Sequence, residues 1–208
     1  MSERHQLWSN TTHDWTRDLD LGHLLRIRRQ PTRFASGGVL HLVLEVVAYA
    51  ADEAEDSGGG RVVVTLLRDG SVSVADDGRG TDTRVDDLGR TVKKPVMATK
   101  DLRFFDASDA VTLPDGQPRR GMSVVAALSA WIVHTNRRRN GSWTQRYERG
   151  IPVTDLTEVP DDGTTGTTVQ FLPDPALIGD VQPSPDVVYD LAASFGPHLE
   201  VEIERPQP

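Results

Sequence analysis

One stretch, from Gly37 to Asp76, limits the fold more than any other. "GGVLHLVLEVVAYAADEAEDSGGG" starts on a glycine pair, carries apolar residues at helical spacing and stops in a glycine run. That predicts a helix over about residues 39–56. "RVVVTLL" (61–67) and "SVSVAD" (71–76) then flank Arg68-Asp69-Gly70, and Asp-Gly between β-rich runs is a strong hairpin signal. A long helix that feeds directly into a hairpin has one economical packing: its apolar stripe lies across one face of a sheet.

The remaining chain supplies more of the same parts. "LGHLLRIRRQPTRF" (21–34) predicts a short helix stopping before Pro31, because the residue before proline disfavours helical angles. A helix is expected over about 121–130, then strands "WIVHTN" (131–136) and "SWTQRYERG" (142–150) around a turn at Arg139-Asn140-Gly141. "GTTVQFLP" (166–173) and "HLEVEIER" (198–205) read as strands. Between them "SPDVVYDLAASFG" (184–196) reads as a helix with Ser184 as N-cap and Pro185 in its first position. Residues 77–120 hold one weak helical stretch near 86–98; connections this long are usually functional lids. The expected class is α+β: a two-layer α/β sandwich with a mixed, mostly antiparallel sheet and helices on one face. Residues 1–20 read as an arm, 21–208 as a single domain without internal repeat or linker.

Composition narrows the chemistry. The chain has no cysteine, which removes disulfides and thiolate sites, and its six histidines show no metal-ligand spacing. A net charge of −8 argues against direct DNA binding, which needs clustered cations; Arg137-Arg138-Arg139 reads as a solvated hairpin tip. The most apolar run, residues 121–133, is too short to span a bilayer, and the polar N-terminus has no export signal. A cytoplasmic protein is expected.

Four features carry chemistry. Glu45, Tyr49 and Asp52 fall at i, i+4 and i+7 and share one helix face. On that pattern alone Glu45 is a rim charge or a pocket carboxylate. Asp76-Asp77-Gly78-Arg79-Gly80 begins where a strand ends; it reads as a tight turn, or as a loop whose bare backbone approaches a ligand while Asp76 accepts from an amino group. Gly116 and Gly121 bracket a helix entry whose N–H groups suit phosphate. Thr165-Gly166-Thr167-Thr168 leads into a strand with hydroxyls that can bond a base or its ordered water.

In this order the four features resemble the GHKL (Bergerat-fold) ATPases, and within them the N-terminal ATPase domain of gyrase B and topoisomerase IV B subunits. "IRRQPTRF", "DGSVSVADDGRG", "GMSVVAALS" and "TGTTVQFLPDP" carry the resemblance, which covers roughly residues 22–205. It implies adenine-nucleotide (ATP or ADP) binding. Glu45 takes the place of the general base and Asp76 that of the aspartate receiving the adenine amino group. Gly78, Arg79 and Gly80 match the residues beside the nucleotide, Thr167 the threonine near adenine, and Asp52 and Glu53 an acidic pair. Arg138, or a neighbour, matches a basic residue at the pocket mouth, and Gly121 closes the lid motif.

Three departures lie on the phosphate side. Tyr49, preceded by Ala48, stands where the family has a Mg²⁺-holding asparagine, and a phenol is a poor ligand for that hard cation. The lid motif reads Gly116-Gln117-Pro118-Arg119-Arg120-Gly121, with Arg119 in place of a glycine and Pro118 without an N–H; the arginines hold phosphates by charge or are surface residues. Asp77 replaces an asparagine and adds negative charge beside the expected phosphates. The expectation is nucleotide binding with weak or lost hydrolysis and no confident metal ligand. An active ATPase with an altered metal site is the alternative, as is a protein-interaction module with a decayed pocket. A protein partner or homodimer stays open, since residues 1–20 do not closely match the family's dimerising arm. The transducer and toprim regions of a complete topoisomerase are expected to be missing.

Overall fold

A computed structural model describes residues 19–81, 97, 99–105, 111–139 and 141–205. Most of the arm, nearly all of the weak helical stretch near 86–98, and Asn140 of the expected turn lie outside them.

Helix α1 (Leu21–Arg29) starts at Asp20, whose side chain accepts the His23 N–H, and a short α2 (Pro31–Phe34) has its proline in the first turn. Helix α3 (Gly38–Ser57) is the long helix; Gly58 ends it, and the N–H groups of Gly58 and Gly59 both return to Ala54 O. Strands β1 (Gly60–Leu66) and β2 (Val72–Asp76) form the predicted hairpin, with Val62 opposite Asp76 and Val64 opposite Val74. A one-turn α4 (Leu102–Phe105) and α5 (Met122–Leu128) follow. The chain then enters β3 (Ser129–Arg138) and β4 (Gly141–Glu148). Two-residue strands β5 (Ile151–Pro152) and β6 (Thr157–Glu158) flank β4. Strand β7 (Gly166–Pro173), a one-turn α6 (Pro175–Ile178), α7 (Pro185–Ala193) and β8 (Leu199–Glu204) complete the order. Ser184 caps α7 as expected, accepting the Val187 N–H.

The sheet runs β5-β4-β3-β7-β2-β1-β8, with β6 also on β4. Among the described strands only β1 and β8 pair in parallel, so the sheet is mixed and mostly antiparallel. One face is apolar: Val62, Val64, Val72, Val74, Ile132, Tyr147, Val169 and Phe171 share a core with Leu42, Val43, Val46, Val47 and Ala50 of α3 and Val124–Leu128 of α5. The opposite face carries ion pairs such as Arg61–Glu202, as period-two alternation requires of a sheet covered on one side. This is the expected two-layer α+β sandwich. Among the described residues, no helix is long and apolar enough to cross a membrane.

Sequence and structure differ at α5. The helix expected to reach residue 130 stops at Leu128, because β3 already pairs with β7 at Ser129 through a bulge before Trp131. A pair of ladder bonds outweighs one more helical turn.

One core residue is badly matched to its site. His134 is fully buried against the Trp143 ring, 4.8 Å between centroids, and neither ring nitrogen has a hydrogen-bond partner among the described residues. Burial pushes it down to about 3, so it stays neutral in the fold while the unfolded chain protonates near its ordinary value. His134→Leu should therefore raise stability by about 1–2 kcal/mol at pH 7.5, measured by urea unfolding. Its advantage should widen as pH falls below 6.5, where only the unfolded wild type takes up the proton.

Candidate functional site

The site is built on one stripe of α3, at His41, Glu45, Tyr49 and Asp52, successive turns of the helix. The residues around α4 and ahead of α5 close on it, and the loop after β2, joined to the start of β7, meets α3 beside it at Glu53.

The first corner joins β2 to β7. Asp76 Oδ1 accepts the N–H groups of Gly78 at 2.9 Å and Thr167 at 3.1 Å; neither bond uses Oδ2. The strands approach closely there. A Cβ on Gly166 would lie 1.9 Å from the Asp76 carbonyl oxygen, and its φ of 133° is one that side chains rarely adopt. Burial pushes the Asp76 carboxyl up to about 6 against the pull of its two N–H partners, and Glu53 and Asp77 add to the rise. The corner thus holds one half-buried carboxylate whose second oxygen takes no part in either bond, an arrangement suited to a hydrogen-bond donor on a ligand.

The following loop is tied to α3 and β3. Arg79 forks onto Glu53, Nε to Oε1 at 2.6 Å and Nη2 to Oε2 at 2.9 Å, and its N–H also reaches Oε1. Asn136, fully buried, accepts the Thr81 N–H and donates to Thr81 O, while Arg138 Nη1 donates to Gly80 O at 3.0 Å. Asp77 Oδ1 accepts the Arg61 N–H at 2.7 Å, which ties this side chain to β1.

The second corner surrounds Glu45. Its side chain is fully buried, which settles the rim-or-pocket question for the interior. Oε1 accepts the Arg120 N–H at 2.5 Å and Oε2 the Gly121 N–H at 2.7 Å. His41 Nε2 lies 3.3 Å from Glu45 Oε1, an ion-pair contact without hydrogen-bond alignment, and its Nδ1 meets Asp115 Oδ2 at 2.7 Å. Burial pulls the imidazole down, yet Asp115 and Glu45 together outweigh it and raise it to about 9. At neutral pH His41 is a cation between two carboxylates. The sequence reading missed it, although a histidine one turn before Glu45 on the same stripe was the available signal. Asp115 had no local signal.

The third corner surrounds Tyr49. Its hydroxyl donates to Asp101 Oδ2 at 2.8 Å, and burial with the Asp101 charge drives its ionisation far upward. Gly121 is packed so closely that an added Cβ would lie 2.8 Å from this hydroxyl. Arg119 lies over the Tyr49 and Phe104 rings, 4.7 and 4.2 Å from their centroids, and forks onto Asp52 at 2.9 and 2.8 Å. Arg103 forks onto Asp101 and lies 3.8 Å from Asp52.

Magnesium, implied by the family, fits this corner poorly. Tyr49 uses its hydroxyl as a donor to Asp101, and the carboxylates of Asp52 and Asp101 are engaged by guanidinium groups. Among the described residues no cluster of three or more His, Asp or Glu suits a metal.

Of the residues singled out in the sequence, Asp76, Gly78 and Thr167 meet at the first corner, Arg79 and Gly80 lie on the loop that follows it, Glu45 and Gly121 meet at the second corner, and Tyr49, Asp52 and Arg119 lie together at the third. The structure adds His41, Asp101, Arg103, Phe104, Asp115 and Asn136.

No protein-family model matches the chain. Individual proteins do. The B subunit of DNA gyrase from Thermotoga maritima is 34% identical over 171 residues, 80% of this chain and 27% of the relative. The B subunit of DNA topoisomerase 4 from Bacillus subtilis is 31% identical over 156 residues, 73% of this chain and 24% of the relative. The gyrase B subunit of Mycobacterium tuberculosis is 36% identical over 155 residues, 73% of this chain and 23% of the relative. The chain spans about a quarter of the length of the curated relatives it matches. This similarity and the two-layer fold make the chain a member of the GHKL (Bergerat-fold) family, of the kind found as the N-terminal ATPase domain of DNA gyrase and topoisomerase IV B subunits.

Proposed function

We propose that this gyrase-B-like domain binds adenine nucleotide, ATP or ADP, at the Asp76 corner and hydrolyses it weakly or not at all. One observation carries the reading: the two sides of the site differ. The adenine side keeps a half-buried carboxylate on the N–H groups of Gly78 and Thr167, with its other oxygen outside both bonds and suited to an amino group. On the other side, Tyr49, Asp52, Asp101, Arg103 and Arg119 are tied to one another by hydrogen bonds and ion pairs. Phosphoryl transfer depends on neutralising charge at the transferred phosphate, and the described residues offer no ready metal ligand for that task. Calorimetry with ADP is the direct test. Wild type should bind and Asp76→Ala should not; wild type without binding at millimolar ADP would sink the proposal.

A second reading, an active ATPase with an altered metal site, is favoured by the Glu45–His41–Asp115 chain, which holds an oriented buried carboxylate. A carboxylate held this way can take a proton from an attacking water. Single-turnover measurement of phosphate release separates the two readings, since fast release that Glu45→Ala abolishes supports the second, and release that is slow or at background removes it.

A further inference from the structure

On the nucleotide-binding reading above, we propose that Arg119 and Arg103 receive the nucleotide's phosphates in place of Mg²⁺, and that the Asp52 carboxylate occupies Arg119 until phosphate displaces it.

Arg119 is an unusual guanidinium to find beside an exchangeable partner. Its side chain is 6% exposed, whereas that of Asp52 is 43% exposed. Its guanidinium carbon lies over both the Tyr49 and Phe104 rings, so the cation has contacts besides the carboxylate it binds. Its Nε is buried and has no hydrogen-bond partner among the described residues, which leaves one donor unmet beside the two that Asp52 satisfies. A phosphate offers more acceptor oxygens than a carboxylate and suits the same planar fork. Arg103 lies over the same Phe104 ring at 4.7 Å and within 3.8 Å of Asp52, so a second cation borders the place Asp52 holds. Asp101, 1% exposed and bonded to both Tyr49 and Arg103, stays as the fixed member. Asp52 has somewhere to go: with Arg119 it lines a cleft of about 510 Å³ bounded by Leu113 and Phe195. Guanidinium groups thus stand in for the cation at this corner.

The experiment is calorimetry of ATP and of adenosine on the full chain, in EDTA and in Mg²⁺, for wild type, Asp52→Asn and Arg119→Lys. Wild type should bind ATP on the order of 10–100-fold more tightly than adenosine in EDTA, with little change on adding Mg²⁺. Asp52→Asn should tighten ATP by roughly threefold or more, through loss of a competing charge, and leave adenosine unchanged. Arg119→Lys keeps the charge but loses the fork, and should bring ATP down towards adenosine. Asp52→Asn needs no buried group removed, so it stays informative if the lysine variant folds poorly. Equal binding of ATP and adenosine, a preference for ATP seen only with Mg²⁺, or weaker ATP binding by Asp52→Asn would overturn the proposal while leaving the adenine site intact. Failure of wild type to bind even adenosine would overturn both.

Discussion

Asp76→Asn should leave the protein more stable at pH 7.5 and unable to bind adenine nucleotide. The stability gain follows from the direction of the pKa shift. Burial holds the Asp76 carboxyl at about 6 in the fold, against its ordinary 3.8. The folded state therefore binds the proton more tightly than the unfolded chain. Asp76 favours folding fully only below about 3.8, and that contribution is lost as pH rises through 6. At pH 7.5 this difference amounts to roughly 3 kcal/mol, a ceiling that relaxation and entering water reduce. Asparagine keeps the Oδ1 that accepts from Gly78 and Thr167 and brings no charge. A gain of about 1–2 kcal/mol is expected at pH 7.5, shrinking towards zero near pH 4. Binding should move the other way. With Oδ1 turned inward to its two N–H partners, the amide nitrogen replaces Oδ2 and points a donor where a donor must be received, a loss of roughly 100-fold or more. Urea unfolding at both pH values and ADP calorimetry test the two halves. Equal stability of the two proteins at pH 7.5 would refute the first, and retained ADP affinity the second.

The same corner marks how far the sequence could be read. Asp76, Gly78 and Gly80 stand out because a strand ends there in a glycine-rich turn, and Glu45, Tyr49 and Asp52 because the helix period puts them on one stripe. Both signals are local. What closes the site is not. Glu45 meets the N–H groups of residues 120 and 121, and Tyr49 meets Asp101; such pairs, distant in the chain, leave no periodic trace in the sequence. His41 was within reach of the period but reads as one more interior residue until Asp115 is found beside it. The bond from the Arg61 N–H to Asp77 joins β1 to the end of β2 and likewise has no local signal in the sequence. The alternating pattern of residues 198–205 identifies β8 as a strand. Its parallel pairing with β1 is a property of the sheet and has no counterpart in those residues.

Glu45→Ala should cost about 3–5 kcal/mol of stability, whether or not the chain hydrolyses anything. The carboxylate is fully buried and answers three groups: the Arg120 and Gly121 N–H donors and the His41 imidazolium. Removing it leaves two buried donors without acceptors and a buried cation short of one of its two counter-charges, and breaking such a pair from one side is among the more costly substitutions. Part of the loss should be recovered by proton release from His41, because the raised value near 9 rests on Asp115 and Glu45 together. His41 in the variant should therefore titrate at lower pH than in wild type, a shift that imidazole NMR signals report directly. The sign of the pH dependence follows. In wild type the favourable His41 contribution is complete below about 6.5 and disappears as pH rises through 9, so the stability gap between wild type and variant should be wider near pH 6 than at pH 8 and should narrow further towards pH 10. A loss below about 1 kcal/mol, or a His41 titration unmoved by the substitution, would mean that Glu45 does not hold residues 120–121 to α3 in solution. A large loss with an altered His41 titration would make the carboxylate the anchor of that segment, and would account for a buried glutamate on α3 even where hydrolysis is weak.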